Sequence, residues 1–220
     1  MRHLTLALLA VPALAFGQHA VEPVPLPPPG TRPAAIDITP AAHAWAAEHL
    51  KDWPVERQTL AARLVTQYGE PQEVSARVIT WYDNGPWRRT QLYRAGTVHK
   101  FPLPHLDVLW QTISYRVPAS KVAALVAYDG SILVDRTRGE ITVHCDTEAA
   151  NFITLNIAHG IITGDDTAEQ AQAHHAQIVE GMRIGEPEEY PQHLVFKPPR
   201  PESAADPGQE AELLVHLGEH

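Results

Sequence analysis

The stretch HCDTEAANFITLNIAHGIITG, running from His144 to Gly164, decides how the rest of the chain is read. Phe152, Ile153, Leu155, Ile157, Ile161 and Ile162 fall on nearly every side of a helical projection. A helix without a wide polar face is a buried one. Asn151, Asn156 and His159 interrupt it, and at about 17 residues it is shorter than the roughly 20 apolar residues a bilayer span requires. The stretch is therefore predicted to form the central core helix of a folded domain. Asp146 is expected to cap its N-terminus, Glu148 to sit at the positive end of its dipole, and Gly164 to end it.

Upstream, SILVDRTRGEITVHC reads as a hairpin in which Ile132 and Val134 face Ile141 and Val143 across the Arg138-Gly139 turn. An earlier segment, EVSARVITWYDNGPWRRTQLYRAG, gives two strands, Val74 to Tyr82 and Trp87 to Arg94, reversing at Asp83 to Pro86. Alternation puts Val74, Ala76, Val78 and Tyr82 on one face and Ile79 and Trp81 on the other. The run TVHKFPLPHLDV, with Pro102 and Pro104, is expected to be a loop that holds His99 and His105. LWQTISYRVP follows as a single strand, with a helix over 105 to 115 as the competing reading.

Two helices open the domain. Thr39-Pro40 starts the first, and Pro54 starts the second, with Leu60, Ala61, Leu64, Val65 and Tyr68 as its buried stripe and Gly69 as its stop. SKVAALVAYDG is a short helix. After the core helix, Asp166 and Glu169 suggest a capping box for a last helix that turns Ala168, Ala171, His175, Ile178, Val179 and Met182 inward. Leu194 to Phe196 is expected to lie on the domain as an edge strand or clasp. Strands grouped with helices outside them predict an α+β domain, with an antiparallel sheet of about five strands, two hairpins plus one, packed on the core helix and the surrounding helices.

The ends differ from this middle. MRHLTLALLAVPALAFG combines a basic start at Arg2, an apolar run and small residues at Ala15 and Gly17, the pattern of a secretory signal peptide over residues 1–17. Residues 18–36 form a proline-rich linker, residues 37–197 a single domain, and residues 198–220 an acidic, proline-rich tail expected to lack stable structure. The chain is therefore expected to be exported, to the periplasm or beyond it, and to have no stable membrane insertion once the signal is removed. The formal charge is −9, and a surface of that sign argues against non-specific nucleic-acid binding. A single cysteine, Cys145, leaves no intrachain disulfide, so the core must come from apolar packing.

Four groups of residues deserve a chemical reading. His144, Cys145 and Asp146 sit at a strand-to-helix junction, but neighbours on a strand point to opposite faces, so Cys145 is expected to be buried and His144 to face away. Asn156 and His159 share a helix face and read first as satisfied core polar groups. The thirteen histidines contain no local zinc pair, four apart on a helix or two apart on a strand, which leaves only a site assembled from distant residues such as His99, His105 and His159. The hairpin face formed by Trp81, Trp87, Arg88, Arg89 and Arg94 is the candidate for recognition, because Trp and Arg dominate binding hot spots.

No phosphate-binding glycine loop, nucleophile-elbow serine or acidic calcium loop is present. The expectation is therefore a non-catalytic binding or envelope-associated module, which meets an unidentified protein or small molecule through Trp81, Trp87, Arg88, Arg89, Arg94, His99 and His105. No catalytic or metal-ligating residue and no cofactor is assigned. The alternative is a metal-dependent or acid–base enzyme that uses His144, Asp146, Asn156 and His159.

Overall fold

The computed structural model describes residues 37–185, 190 and 192–205. The expected signal peptide and linker, and residues 206–220 of the tail, lie outside these. The chain opens with helices α1 (Pro40–His49) and α2 (Val55–Tyr68). Thr39 caps α1 by accepting from the Ala42 amide, and Gly69, at φ 80°, ends α2. Strands β1 (Glu73–Val74), β2 (Val78–Asn84), β3 (Trp87–His99) and β4 (His105–Ser114) follow, then α3 (Val122–Tyr128), β5 (Leu133–Asp135) and β6 (Glu140–Cys145). Helices α4 (Glu148–Thr163), α5 (Ala168–Ile184) and the short α6 (Pro201–Ala204) complete the described chain. The six strands form one antiparallel sheet in the order β1-β2-β3-β4-β6-β5. The α+β architecture is as the sequence implies, with six strands where about five were expected.

The sixth strand arises because the segment from Val74 to Tyr82 is broken. The hydroxyl of Ser75 accepts the amides of Arg77 and Val78 and donates to the Val78 carbonyl, folding a small turn that separates β1 from β2. A second difference lies in the expected loop around His99. Strand β3 continues to His99 and β4 begins at His105, with Thr97, Val98 and His99 paired to Asp107, Leu106 and His105. Only Lys100 to Pro104 remains as a connection, and the Phe101-Pro102 peptide there is cis. Neither Pro102 nor Pro104 falls inside a ladder, so the backbone on both sides is free to pair. The helical reading of residues 105–115 is excluded by the same pairing.

All the helices that build the core lie on one face of the sheet. Ile79, Trp81, Leu92 and Leu109 pack with Trp45, Leu50, Trp53 and Leu64 from the α1–α2 region. Ile113, Ile141 and Val143 pack with Leu125, Phe152, Leu155, Ile161 and Ile178 of α3, α4 and α5. Leu109 and Ile113 have the same parity on β4, so both helical groups cover the same side. The opposite face carries Tyr82, Arg89, Gln91, Tyr93, Trp110, Thr142 and His144, none of which belongs to either cluster. Alternation in β2 is therefore as read, but its sense is inverted: Ile79 and Trp81 point to the core, and Val78 and Tyr82 point away. Alternation fixes which residues share a face; the helices that cover it decide which face is wet.

Helix α4 is the central helix, with Asn151, Phe152, Ile153, Thr154, Leu155, Asn156, Ile157, Ala158 and Ile161 buried. Its cap is Thr147, which accepts from the Ala150 amide, and not Asp146. In α5 the capping box is likewise one residue later than expected, Thr167 with Gln170, and Met182 is exposed while Ala171, His175 and Ile178 are buried. A hydroxyl and a carboxylate are near-equivalent caps, so spacing alone does not choose between adjacent candidates.

Glu148, in the first turn of α4, joins the two helical groups. Its Oε1 accepts from Tyr68 Oη at 2.7 Å, Trp87 Nε1 at 2.7 Å and Gln111 Nε2 at 2.9 Å. A carboxylate drawn inside is tolerated when its lone pairs are met in this way. Burial and the neighbouring Glu148 charge push the Tyr68 phenol well above its usual range.

The C-terminal segment returns over the domain. Asn156 donates to the His193 carbonyl and accepts from the Val195 amide, clamping the buried Leu194 and Phe196. The described residues continue past 197 to Ala205. Ala204 is fully buried against the Gly139 turn, and Arg116 donates to the Ala205 carbonyl.

Candidate metal centre

The ends of β3, β4 and β6 meet the end of α3 at one corner of the sheet, on the face that the helices cover. Antiparallel pairing places His99 directly opposite His105 and Thr97 opposite Asp107. His105 and Asp107 are two apart on β4 and so share a face. One nitrogen from each imidazole and one oxygen from Asp107 all lie within 4.8 Å of one another. His105 Nε2 is 3.0 Å from Asp107 Oδ1, and His99 Nδ1 is 3.6 Å from Asp107 Oδ2. With metal bonds of about 2.0 Å to nitrogen and oxygen, the nitrogen-to-oxygen edge of a tetrahedron is about 3.3 Å, so both separations bracket what a bound ion imposes.

The remaining nitrogen of each imidazole is directed at an oxygen. His105 Nδ1 is 2.7 Å from the Leu103 carbonyl, and His99 Nε2 is 3.6 Å from Asp129 Oδ1. Asp129 is held in turn by the Ser131 amide at 2.8 Å and hydroxyl at 2.7 Å. Metal-bound histidines are tied at their second nitrogen in this manner, which fixes the tautomer and aims the lone pair at the ion.

That arrangement leaves atoms without donors. Buried Asp107 Oδ1 and His99 Nδ1 receive no hydrogen bond among the described residues. With its Nδ1 proton given to Leu103, neutral His105 has only a lone pair at Nε2, which then confronts the Asp107 lone pair at 3.0 Å. A proton or a metal ion between the two relieves that contact. When no metal is bound a proton does so: hydrogen bonding to Asp107 first, and to Cys145 next, pushes the His105 imidazolium up to about 11.

Cys145, at the end of β6, places Sγ 3.4 Å from His105 Nε2 and 3.7 Å from Asp146 Oδ1. A cysteine–histidine–aspartate set invites comparison with nucleophilic triads. In those, the nucleophile and the orienting carboxylate bond to opposite ring nitrogens, so that a proton passes through the ring. Here both meet Nε2, while Nδ1 is bound to a backbone carbonyl. Burial, the largest effect on it, also raises the Cys145 thiol above its ordinary value. Cys145 and Asp107 therefore approach the same ring nitrogen, which is not the geometry of a proton relay.

His175, from α5, closes the side of the corner. Its Nδ1 is 3.0 Å from Tyr128 Oη, and Phe101 packs edge-on against both rings. Burial, followed by the charges of His105, His174 and His99, drives the His175 pKa down to about 4.

Of the recognition residues read from the hairpin, the structure brings together only His99 and His105. Trp81 and Trp87 are 0% and 1% exposed, the first donating to the Gly69 carbonyl and the second to Glu148. Arg88 pairs with Asp83, Arg89 lies on the open sheet face against Glu140, and Arg94 is exposed. The hairpin thus presents no joint tryptophan–arginine surface, because the indoles are the apolar side of the sheet.

The alternative set does not converge either. His144 faces away from Cys145, stacked on Trp110 with ring centroids 3.5 Å apart, and burial lowers its pKa to about 4. Asn156 is committed to residues 193 and 195. His159 takes part in a 2.6 Å hydrogen bond with the Tyr115 hydroxyl and stacks on Phe196. At 1.5 Å per residue His159 lies about 16 Å along α4 from Glu148, far from the sheet corner. His159 is therefore not the third partner of His99 and His105; Asp107 takes that place. The signal for it was the His105-x-Asp107 spacing, which carries meaning only once those residues are known to be a strand.

Compared with protein-family models, with curated proteins and with solved structures, the chain matches none.

Proposed function

We propose that this protein binds a divalent transition-metal ion, through His99, His105 and Asp107, after export across a membrane. The observation that carries the reading is the pairing of both imidazoles. Each turns one nitrogen toward a shared buried carboxylate; the other nitrogen of His105 is hydrogen-bonded to the Leu103 carbonyl, and that of His99 lies 3.6 Å from Asp129 Oδ1. Of the eight buried side-chain atoms without a hydrogen-bond partner among the described residues, two, Asp107 Oδ1 and His99 Nδ1, fall together at this corner. Two imidazoles with a carboxylate suit zinc, cobalt or copper and disfavour calcium and magnesium, which prefer all-oxygen shells.

This gives the expected binding module a ligand, a metal ion, and places it at the His99 and His105 strand ends. Export rests on the N-terminal pattern of residues 1–17, and the same pattern serves the periplasm and full secretion. The test is metal content by mass spectrometry on protein purified from its native compartment without tag or chelator. The expected result is about one zinc, copper or cobalt ion per chain in wild type, and its loss in both His99→Ala and His105→Ala. A metal-free wild type that also fails to take up added zinc would overturn the reading.

A further inference from the structure

We infer that residues 209–217, QEAELLVHL, cover the face of the sheet that the helices leave open. The inference is independent of the metal centre, whose residues lie on the other face. One unbroken cross-strand row crosses the open face. Tyr82 of β2 pairs with Arg89, Arg89 with Thr112, Thr112 with Thr142, and Thr142 with Leu133 of β5. The apolar ends of this row are wet, Tyr82 at 41% and Leu133 at 48% exposed. Trp110 stands in the next row, between Gln91 and His144, and is the one tryptophan of the five that is not buried. A sheet buries such a face against a further layer.

The path of the chain brings the tail to that face. Ala204 is buried against Gly139, in the turn between β5 and β6, and Arg116, two residues beyond the end of β4, donates to the Ala205 carbonyl. The described residues thus leave off at the end of the sheet where the row begins to be in reach. At about 3.3 Å per residue Thr112 is about 13 Å from Arg116. Residues 206–212 span up to about 23 Å when extended, enough to set Leu213 on the row. Beyond them Leu213, Val215 and Leu217 alternate with Leu214 and His216, the period that lays apolar side chains on one side of an extended segment.

Charge and tethering favour this occupant over a second copy of the chain. Residues 206–220 hold Asp206, Glu210, Glu212 and Glu219 and no lysine or arginine, while Arg89 stands in the row and exposed Arg116 at the point of exit. Two whole chains of formal charge −9 repel, whereas an acidic segment meets these guanidinium groups. A short tether also holds its segment at an effective concentration of about millimolar, which a free partner seldom reaches.

Trp110 reports the cover, because the other four tryptophans are buried whether or not it is in place. Acrylamide quenching of the full chain is compared with that of the triple variant Leu213→Asp, Val215→Asp, Leu217→Asp, whose changes lie outside the described fold. Expected are stronger quenching and a red-shifted emission in the variant, with both differences lost when Trp110→Phe is made in each protein. A synthetic peptide of residues 206–220, added to the variant, is expected to restore the shielding. Equal quenching in wild type and variant would overturn the inference. So would wild-type shielding that falls on dilution while sedimentation shows a dimer dissociating, since the occupant would then be a second copy. Far-ultraviolet circular dichroism confirms that the variant keeps the fold.

Discussion

Asp129 Oδ1 stands 3.6 Å from His99 Nε2, on the side of the ring away from Asp107. A carboxylate at the end of α3 thereby faces the nitrogen of the β3 histidine that is turned away from Asp107. Replacing it by asparagine keeps an acceptor for Ser131 but removes the charge that orients His99. Outer partners of this kind are worth about 10–100-fold in metal affinity. Asp129→Asn is expected to weaken zinc binding by that factor in competition titrations with a chromophoric chelator. An unchanged affinity would show that His99 is oriented by packing alone.

Metal binding should be felt in stability, because its ligands come from separate strands. At free zinc 100-fold above the dissociation constant, the folded state gains about 2.7 kcal/mol. The midpoint of thermal unfolding is expected to rise on adding zinc and to return with chelator. His105→Ala is expected to unfold at the same temperature with and without zinc. Calorimetry of the two proteins gives the comparison.

Glu148 should matter for folding whether or not metal is present. Its removal leaves Tyr68, Trp87 and Gln111 with donors directed at an empty space between the two helical groups. At about 1–3 kcal/mol for each buried donor left unmet, with water recovering part, Glu148→Ala is expected to cost about 3–5 kcal/mol. Urea unfolding measures this. A loss under about 1 kcal/mol would mean that the seam is already hydrated.

Acid should weaken the metal-free fold through His175. Its folded pKa is about 4 because it is buried, 3% exposed, while the unfolded chain titrates near the ordinary 6.5. Between those values the unfolded state binds more protons. The contribution is thus complete above pH 6.5, declines as pH falls toward 4 and then levels, reaching at most about 3 kcal/mol. In chelator, the decline of unfolding free energy from pH 7 to pH 4.5 is expected to be steeper in wild type than in His175→Asn. His144 and His159, whose pKa values burial also lowers, contribute to the slope that remains.

The return of the C-terminal segment depends on Gly139. At φ +64° this residue lies where side chains are strained, and a Cβ there would come within 2.1 Å of the Ala204 backbone. Gly139→Ala is expected to displace residues 201–205 and to lower stability by about 2 kcal/mol or more. Limited proteolysis should then cut near Arg200 earlier than in wild type. Equal cutting rates would place the return on the contacts of Leu194 and Phe196 alone.

Several features were legible in the chain by itself. The all-round apolar pattern of residues 152–162 required a buried helix, the two turn signals required hairpins, and the parity of Ile141, Val143 and Cys145 put the thiol inside. Each follows from a local period of 3.6 or 2, which the backbone enforces without reference to the rest of the molecule. His99 and His105 could be named as candidates, but not their companions.

Tertiary structure decided the rest. Whether residues 97–99 and 105–108 were loop or strand depended on pairing between them, with the irregularity between Leu92 and Thr97 setting the register that puts His99 opposite His105. Which side of β2 met the helices, and hence the burial of Trp81, depended on where α1 and α2 settled. Asp107, Asp129 and Cys145 reach the histidines from three different elements. A period tells which side chains share a face, while register and layer packing tell which faces meet, and those are set by contacts distant in sequence.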